Sequence, residues 1–285
     1  MTFLGFPAGA PGDPAEIAIL GVPRGVPYPG VAPVCEEAPA AIRQRSQRLA
    51  RFVDHHDFDL DGPMLPAELR VLDCGDVAGP AATRQAVRAI LDAGAVPLVL
   101  GGDDSVPIPV LRAYALPLVV LQVDAHLDFR DEVAGVREGY SSPMRRASEM
   151  GHVSRIVQVG LRGVGSARLS DVVEARAAGN LLVTARELRS RGVPWLAGQL
   201  PAGDDLFISF DLDGLDPSVV PAVSAPAPGG LSYDEACDLL AEAAARCHVV
   251  GAAFTELVPA LDTNQLSALV AVRLLSRLIA AIARS

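Results

Sequence analysis

Three short segments carry side chains able to do chemistry together: Gly101-Gly102-Asp103-Asp104-Ser105, Asp124-Ala125-His126-Leu127-Asp128 and Ser209-Phe210-Asp211-Leu212-Asp213-Gly214-Leu215-Asp216-Pro217. They are rich in carboxylates, hold one imidazole and contain no Lys or Arg. Carboxylates gathered in a low-dielectric site repel one another strongly. A divalent cation, or two, removes that repulsion. An oxygen-rich set with a single imidazole suits a hard or borderline ion better than a thiolate-seeking one. Alternate side chains of an extended segment share a side, so Asp124, His126 and Asp128 face one point. Asp211 and Asp213 do the same on another strand. These residues point to metal chemistry.

Each segment follows an apolar run, at residues 96–100, 118–123 and 206–208. Such runs read as buried parallel strands, and in open α/β sheets ligands gather outside the carboxyl ends of the strands. Further strands are predicted at 17–22, 69–72, 156–159, 181–183 and 249–254. Between them lie predicted helices: one from Pro39 carrying Ile42 and Leu49, and one capped by Thr83 with Ala86, Ile90 and Leu91 on its apolar stripe, ended by Gly94. Others span 171–178 and 185–191, and a last one starts near Asn264. Ser232 and Glu235 spell a capping box for one more. This alternation predicts a single α/β domain over residues 1–285, a mostly parallel β-sheet with helices on both faces. No GxGxxG follows the first strand, which disfavours a dinucleotide fold. The loops at 23–38 and 130–142 are long, as loops that shape access to a site often are.

The chain has 285 residues, half of them hydrophobic, and a net charge of −10. It contains no Lys; all 24 basic residues are Arg. That balance argues against a nucleic-acid or anionic-membrane partner and mildly favours a cationic substrate, but a plain soluble surface and a GC-rich genome account for it better. Cys35, Cys74, Cys237 and Cys247 have no CxxC spacing and read as free thiols of a reducing cytosol. The N-terminus has no targeting pattern, and the most apolar stretch, 266–282, is interrupted by Arg273 and Arg277. A cytoplasmic location is the expectation. His55, His56, His152 and His248 stand apart from any ligand spacing and read as surface or structural. Arg145 and Arg146 read as helix or subunit contacts, and Asp103 and Ser105 as residues that back the metal ligands or cap a helix.

With these motifs in this order the chain resembles the ureohydrolase family of arginases, agmatinases and relatives, nearly end to end. Gly21-Val22-Pro23, Asp73-Cys74-Gly75-Asp76, Gly160-Leu161-Arg162-Gly163, Pro228-Gly229-Gly230-Leu231 and Glu256-Leu257-Val258-Pro259 match family landmarks. Asp128-Phe129-Arg130 with Ser142-Pro143-Met144-Arg145-Arg146-Ala147 looks most like bacterial agmatinases. The resemblance implies an arginase-like three-layer sandwich and hydrolysis of a small, agmatine-like guanidino compound to urea and an amine. It implies two divalent ions, Mn2+ first and Ni2+ or Co2+ as alternatives, which lower the pKa of a shared water toward ~7. Carried over, Asp124 and Asp211 bridge the ions, His126 and Asp213 complete one shell, and Asp104 and Asp128 the other. Asp128 also resembles the family's proton shuttle, and Glu256 the carboxylate that grips guanidinium nitrogens. A homotrimer or homohexamer is implied.

Several positions depart from the family pattern. Asp104 stands where the family has a His ligand, and Ser141-Ser142-Pro143 where many relatives have a His-Gly step. Arg24, Pro221-Ala222-Val223 and Ala253 also differ from the usual residues. An alternative reading follows from Asp104: a catalytically impaired subunit that scaffolds or regulates an active paralogue in a hetero-oligomer.

Overall fold

The pleat sorts the apolar residues of β1 (Ile17–Val22). Ile17 and Ile19 fall in the core on one face, Ala18 and Leu20 in the core on the other. A strand buried on both faces needs cover on both sides. The computed structural model, which describes residues 1–26, 28–32 and 34–284, shows that cover. Pro27, Pro33 and Ser285 lie outside the described residues, two of them within the predicted 23–38 loop.

The main sheet contains β1, β4 (Val71–Asp76), β5 (Val96–Gly101), β6 (Leu118–Val123), β7 (Val153–Leu161), β8 (Leu181–Thr184), β9 (Asp205–Asp211) and β10 (His248–Thr255). β2 (His56–Asp57) and β3 (Gly62–Pro63) form a separate antiparallel ribbon. The main order is β4-β1-β5-β10-β9-β6-β7-β8, and every pairing in it is parallel. One face is covered by helices Ala38–Ser46, Tyr233–Arg246 and Leu266–Ile282, through Ile42, Leu239, Leu240 and Leu275. The other is covered by Gly79–Asp92, Pro107–Leu111 and Pro143–Ser148, through Val87, Ile90, Val110 and Met144. Each such fully buried Leu or Ile contributes roughly 1.5–3 kcal/mol relative to exposure. By length and composition the last helix could cross a membrane, but Val272, Leu275 and Ile279 are buried in the core of this fold.

The predicted strands and helices are present, with shifts that have local causes. Strand β4 starts at Val71 rather than 69 and continues through Asp76, because Asp73 and Asp76 still pair with Ile19 and Gly21 of β1. Thr83 lies inside its helix, not at the cap. That helix begins at Gly79, and Thr83 Oγ1 donates back to the Gly79 carbonyl at 2.9 Å. Leu49 falls beyond the first helix, which ends at Ser46. The capping box of Ser232 and Glu235 is formed in both directions.

This order brings four motif-bearing ends side by side. β5, β10, β9 and β6 are consecutive neighbours at the middle of the sheet. Past their carboxyl ends the chain delivers Asp104, Glu256, Asp213 and Asp124 respectively. Beneath them Phe254 and Phe210, in register on β10 and β9, stack with ring centroids 4.9 Å apart.

Candidate metal centre

The motifs are turns rather than strand ends, and two of them carry the acids expected to bridge. β6 stops at Val123, and the Asp124 carboxylate accepts from the backbone N–H of His126 at 2.6 Å, curling the chain. At the other, Asp211 ends β9 and its carboxylate accepts from Asp213 N–H at 2.7 Å. Both are Asx turns, in which a short acidic side chain bonds to backbone two residues on. This turn, not strand alternation, arranges Asp124, His126 and Asp128: Asp124 comes close to His126 in one group and to Asp128 in another. Asp128 completes it with backbone in the left-handed region, φ +45°.

The result is a cleft of about 200 Å³ lined by Asp104, His126, Asp128, Asp211, Asp213 and Glu256, together with Tyr140, Ser141, Val164 and Ser224. Within it, ligand atoms of Asp124, His126 and Asp213 lie within 4.8 Å of one another, and so do those of Asp104, Asp124 and Asp128. Asp124 belongs to both sets. Asp211 lines the same cleft outside either set. The carboxylates are all buried. Asp104 Oδ1 accepts from Thr255 Oγ1 at 2.8 Å, while its Oδ2 is buried without a hydrogen-bond partner.

Crowding shows in the protonation equilibria. Burial, followed by the charge of Asp124, pushes the Asp104 carboxyl well above the usual range. Burial and then Asp124 and Asp104 do the same to Asp128; burial and then Asp213 and Asp124 do so to Asp211. Asp124 is raised to about 6, burial again leading, with the hydrogen bond to His126 holding it down. His126 is raised to about 10 by its hydrogen bonds to Asp124 and Asp213, Nδ1 lying 3.0 Å from Asp213 Oδ2 and 3.5 Å from Asp124 Oδ1. A proton on Nδ1 is the positive charge those two carboxylates share.

A divalent cation fits this donor set. It would replace that proton in one cluster and engage the orphaned Asp104 Oδ2 in the other. Asp104 therefore lies where a ligand is needed, although it is an acid and not an imidazole.

Glu256 forms one wall. Its Oε1 accepts from Asp104 N–H at 2.8 Å, and its Oε2 from Ser224 Oγ at 2.6 Å and from the Cys35 thiol at 3.5 Å. Burial raises its carboxyl to about 7, opposed mainly by the Ser224 bond. Burial beside Glu256 also pushes the Cys35 thiol far up, so it acts here as a donor and not a nucleophile. Sequence reasoning missed Ser224, Cys35 and Thr255 as supports. The signal for Ser224 was its place in the stretch 221–224, just after the divergent Pro221-Ala222-Val223.

The supporting shell is built from the remaining landmarks. Arg162 donates to the carbonyls of Asp213, Gly214, Leu215 and Ala227 at 2.6–3.1 Å, clamping the third motif. Gly102 runs against the Arg24 backbone, where a Cβ would lie 2.0 Å from the Arg24 carbonyl oxygen. Gly165 passes the His126 ring so closely that a Cβ would stand 2.5 Å from Cδ2. Asp103 accepts from Ser105 N–H and Val26 N–H, so it braces its turn and the Val26 loop. The two long loops meet at the rim: Ser141 N–H donates to Tyr28 Oη at 3.0 Å, and the Tyr28 and Tyr140 rings lie 4.4 Å apart. His152 binds the Leu111 carbonyl, and His55, His56 and His248 are exposed or partly so, away from the cleft. Arg145 and Arg146 pair with Glu149, with Glu174 and Asp131 as further partners. All four cysteines are free.

Comparison with known proteins finds relatives along most of the chain. The human mitochondrial guanidino acid hydrolase is 32% identical over 207 residues, 70% of this chain and 58% of that protein. The N(1)-aminopropylagmatine ureohydrolase of Thermus thermophilus is 34% identical over 263 residues, 88% of this chain and 85% of that protein. Among solved structures, Trypanosoma cruzi formiminoglutamase with Mn2+ superposes with a TM-score of 0.85 at 27% identity, covering 99% of this chain and 98% of that one. The Arginase family model matches residues 15–281. The chain belongs to the arginase family of ureohydrolases.

Proposed function

We propose that this chain hydrolyses the guanidino group of a small cationic compound to urea and an amine, using two divalent ions. The observation that carries this reading is the pair of ligand sets that share Asp124. Asp124, His126 and Asp213 would hold one ion; Asp104, Asp124 and Asp128 would hold the other. Asp211, in the same cleft, would be a further carboxylate available to the ions. When bound, such a pair supplies an activated water at neutral pH.

The chain's own residues do the rest. Glu256 presents its carboxylate to the cleft and accepts hydrogen bonds from guanidinium nitrogens, charge-assisted on both sides. Those contacts hold the planar carbon toward the carboxylate cluster, which favours the cation electrostatically. Attack of water oxygen forms a C–O bond, and the C–N bond to the leaving amine breaks. The attacking water loses one proton to solvent and the other to Asp128, which delivers it to the departing nitrogen, so the oxygen becomes the urea carbonyl and the carboxylate ends as it began. Tyr140, Val164 and Ala225 line the cleft and offer ring and alkyl surface to the methylene stem of a substrate.

Agmatine is our leading substrate, supported by the likeness to agmatine-type relatives and by a net charge of −10 that attracts cations. Mn2+ is the leading ion, with Ni2+ and Co2+ next, supported by the oxygen-rich donor set. A homotrimer or homohexamer in the cytoplasm completes the proposal. The position of Asp104 within a ligand set favours an active chain over an impaired partner subunit. The test is urea release from a panel of guanidines by the chain expressed alone and reloaded separately with Mn2+, Ni2+ and Co2+. Release from at least one guanidine is expected. Two bound ions with no urea from any of them would overturn the proposal.

A further inference from the structure

Three amide side chains run through the sheet behind the candidate centre. Gln122 on β6 and Gln158 on β7 are fully buried neighbours in register, and Asn180 stands buried just before β8. Asn180 Nδ2 donates to Gln158 Oε1 at 2.9 Å, Gln158 Nε2 donates to Gln122 Oε1 at 2.6 Å, and Gln122 Nε2 donates to Asp124 Oδ2 at 2.6 Å. Gln158 Nε2 also reaches the Leu127 carbonyl at 2.7 Å.

The polarity of this chain is forced by its ends. The Asp124 carboxylate and the Leu127 carbonyl are acceptors, so Gln122 and Gln158 must turn their NH2 groups toward them. Their carbonyls then face outward, and Asn180 must donate. All three amide dipoles therefore align, with the positive end at Asp124, and aligned bonds polarise one another. Burying amides inside a sheet costs about 1–3 kcal/mol each when they are unpaired. Apolar residues would fill the same space without that exposure, so packing does not account for them.

We propose that Gln122, Gln158 and Asn180 are positioning residues that fix the Asp124 carboxylate and the Asp128 turn, and so set the affinity of both ion sites. The inference rests on the metal reading above. Gln122 holds Asp124 Oδ2 while His126 N–H holds Oδ1, so the shared carboxylate cannot rotate. Gln158 steadies the same carboxylate through Gln122, and through Leu127 it anchors the peptide that precedes the left-handed Asp128. One side chain thus supports residues of both ligand sets.

The test is calorimetric Mn2+ affinity, with the visible spectrum of the Co2+-loaded chain, for Gln122→Met, Gln158→Met and Asn180→Ala. The two Met variants preserve volume and are expected to bind Mn2+ about 10–100-fold more weakly with an altered Co2+ spectrum. Asn180→Ala, at the outer end and touching no candidate ligand, keeps the variant set informative if a Met variant fails to fold. It is expected to weaken binding in the same direction by less. Wild-type affinity and spectrum in folded variants, with only a lowered metal-free Tm, would overturn the inference. A wild-type chain that binds neither ion would overturn the metal reading itself, and this inference with it.

Discussion

Asp128 and Glu256 share a backbone peculiarity: both have positive φ, +45° and +70°. A non-glycine residue held there costs about 1–3 kcal/mol and persists only where its surroundings fix it. The Gln158 bond to Leu127 and the Asp104 N–H bond to Glu256 are parts of that fixing. Asn tolerates left-handed backbone well, so Asp128→Asn removes charge without adding strain. At saturating metal it should lower kcat by roughly 10²–10⁴ while leaving the fold intact, as loss of a proton carrier does. Glu256→Gln removes a charge-assisted bond worth about 1.5–3 kcal/mol, which is roughly 10–150-fold in kcat/KM. Steady-state kinetics on the guanidine turned over by wild type checks both. An unchanged kcat/KM in Glu256→Gln would remove Glu256 from substrate contact.

At the level of elements, the turn that closes the third motif makes a pH-dependent contribution. Asp216 accepts from Ser218 Oγ at 2.6 Å and Ser218 N–H at 3.0 Å, and from Gly229 and Gly230 N–H at 2.7 and 3.2 Å. These bonds, Ser218 first, pull its pKa down to about 2. A lowered folded pKa means that the folded state binds fewer protons than the unfolded state, whose Asp titrates near ~3.9. The stabilisation is therefore complete above that value and is lost as pH falls toward 2. Urea denaturation should find Asp216→Asn less stable than wild type at pH 6, with the gap narrowing by pH 3; a gap constant with pH would contradict this. Such turns mark the limit of what sequence reveals. Apolar runs and Gly breaks gave β1, β6 and the 185–191 helix their bounds, because burial on both faces leaves little choice of residue. The short helices Pro107–Leu111, Pro143–Ser148 and Val193–Ala197 went unseen, since each is too brief for a period to emerge. The amide relay was invisible for another reason: a Gln in an apolar run shows no partner until strand register sets Gln122 beside Gln158.

Across the whole molecule, the acidic motifs were legible because their residue types are costly to bury without a partner, whatever the fold. Their order along the sheet was not, since β10 and β9, late in the chain, insert between β5 and β6. Burying Asp104, Asp124, Asp128, Asp211 and Asp213 together leads us to expect that bound cations stabilise the fold. An ion at 100 times its Kd adds about 2.7 kcal/mol, so stripping with a chelator should lower Tm by roughly 5–10 °C in a chain of this size. Re-addition of Mn2+ should restore it, as read by differential scanning calorimetry; an unchanged Tm would argue against resident ions. The most direct test is a crystal of the Mn2+-loaded chain with diffraction recorded above the manganese edge. Two anomalous peaks are predicted, one among Asp124, His126 and Asp213 and one among Asp104, Asp124 and Asp128, with Asp124 touching both. A single peak, or one that leaves Asp104 unliganded, would contradict a two-ion centre.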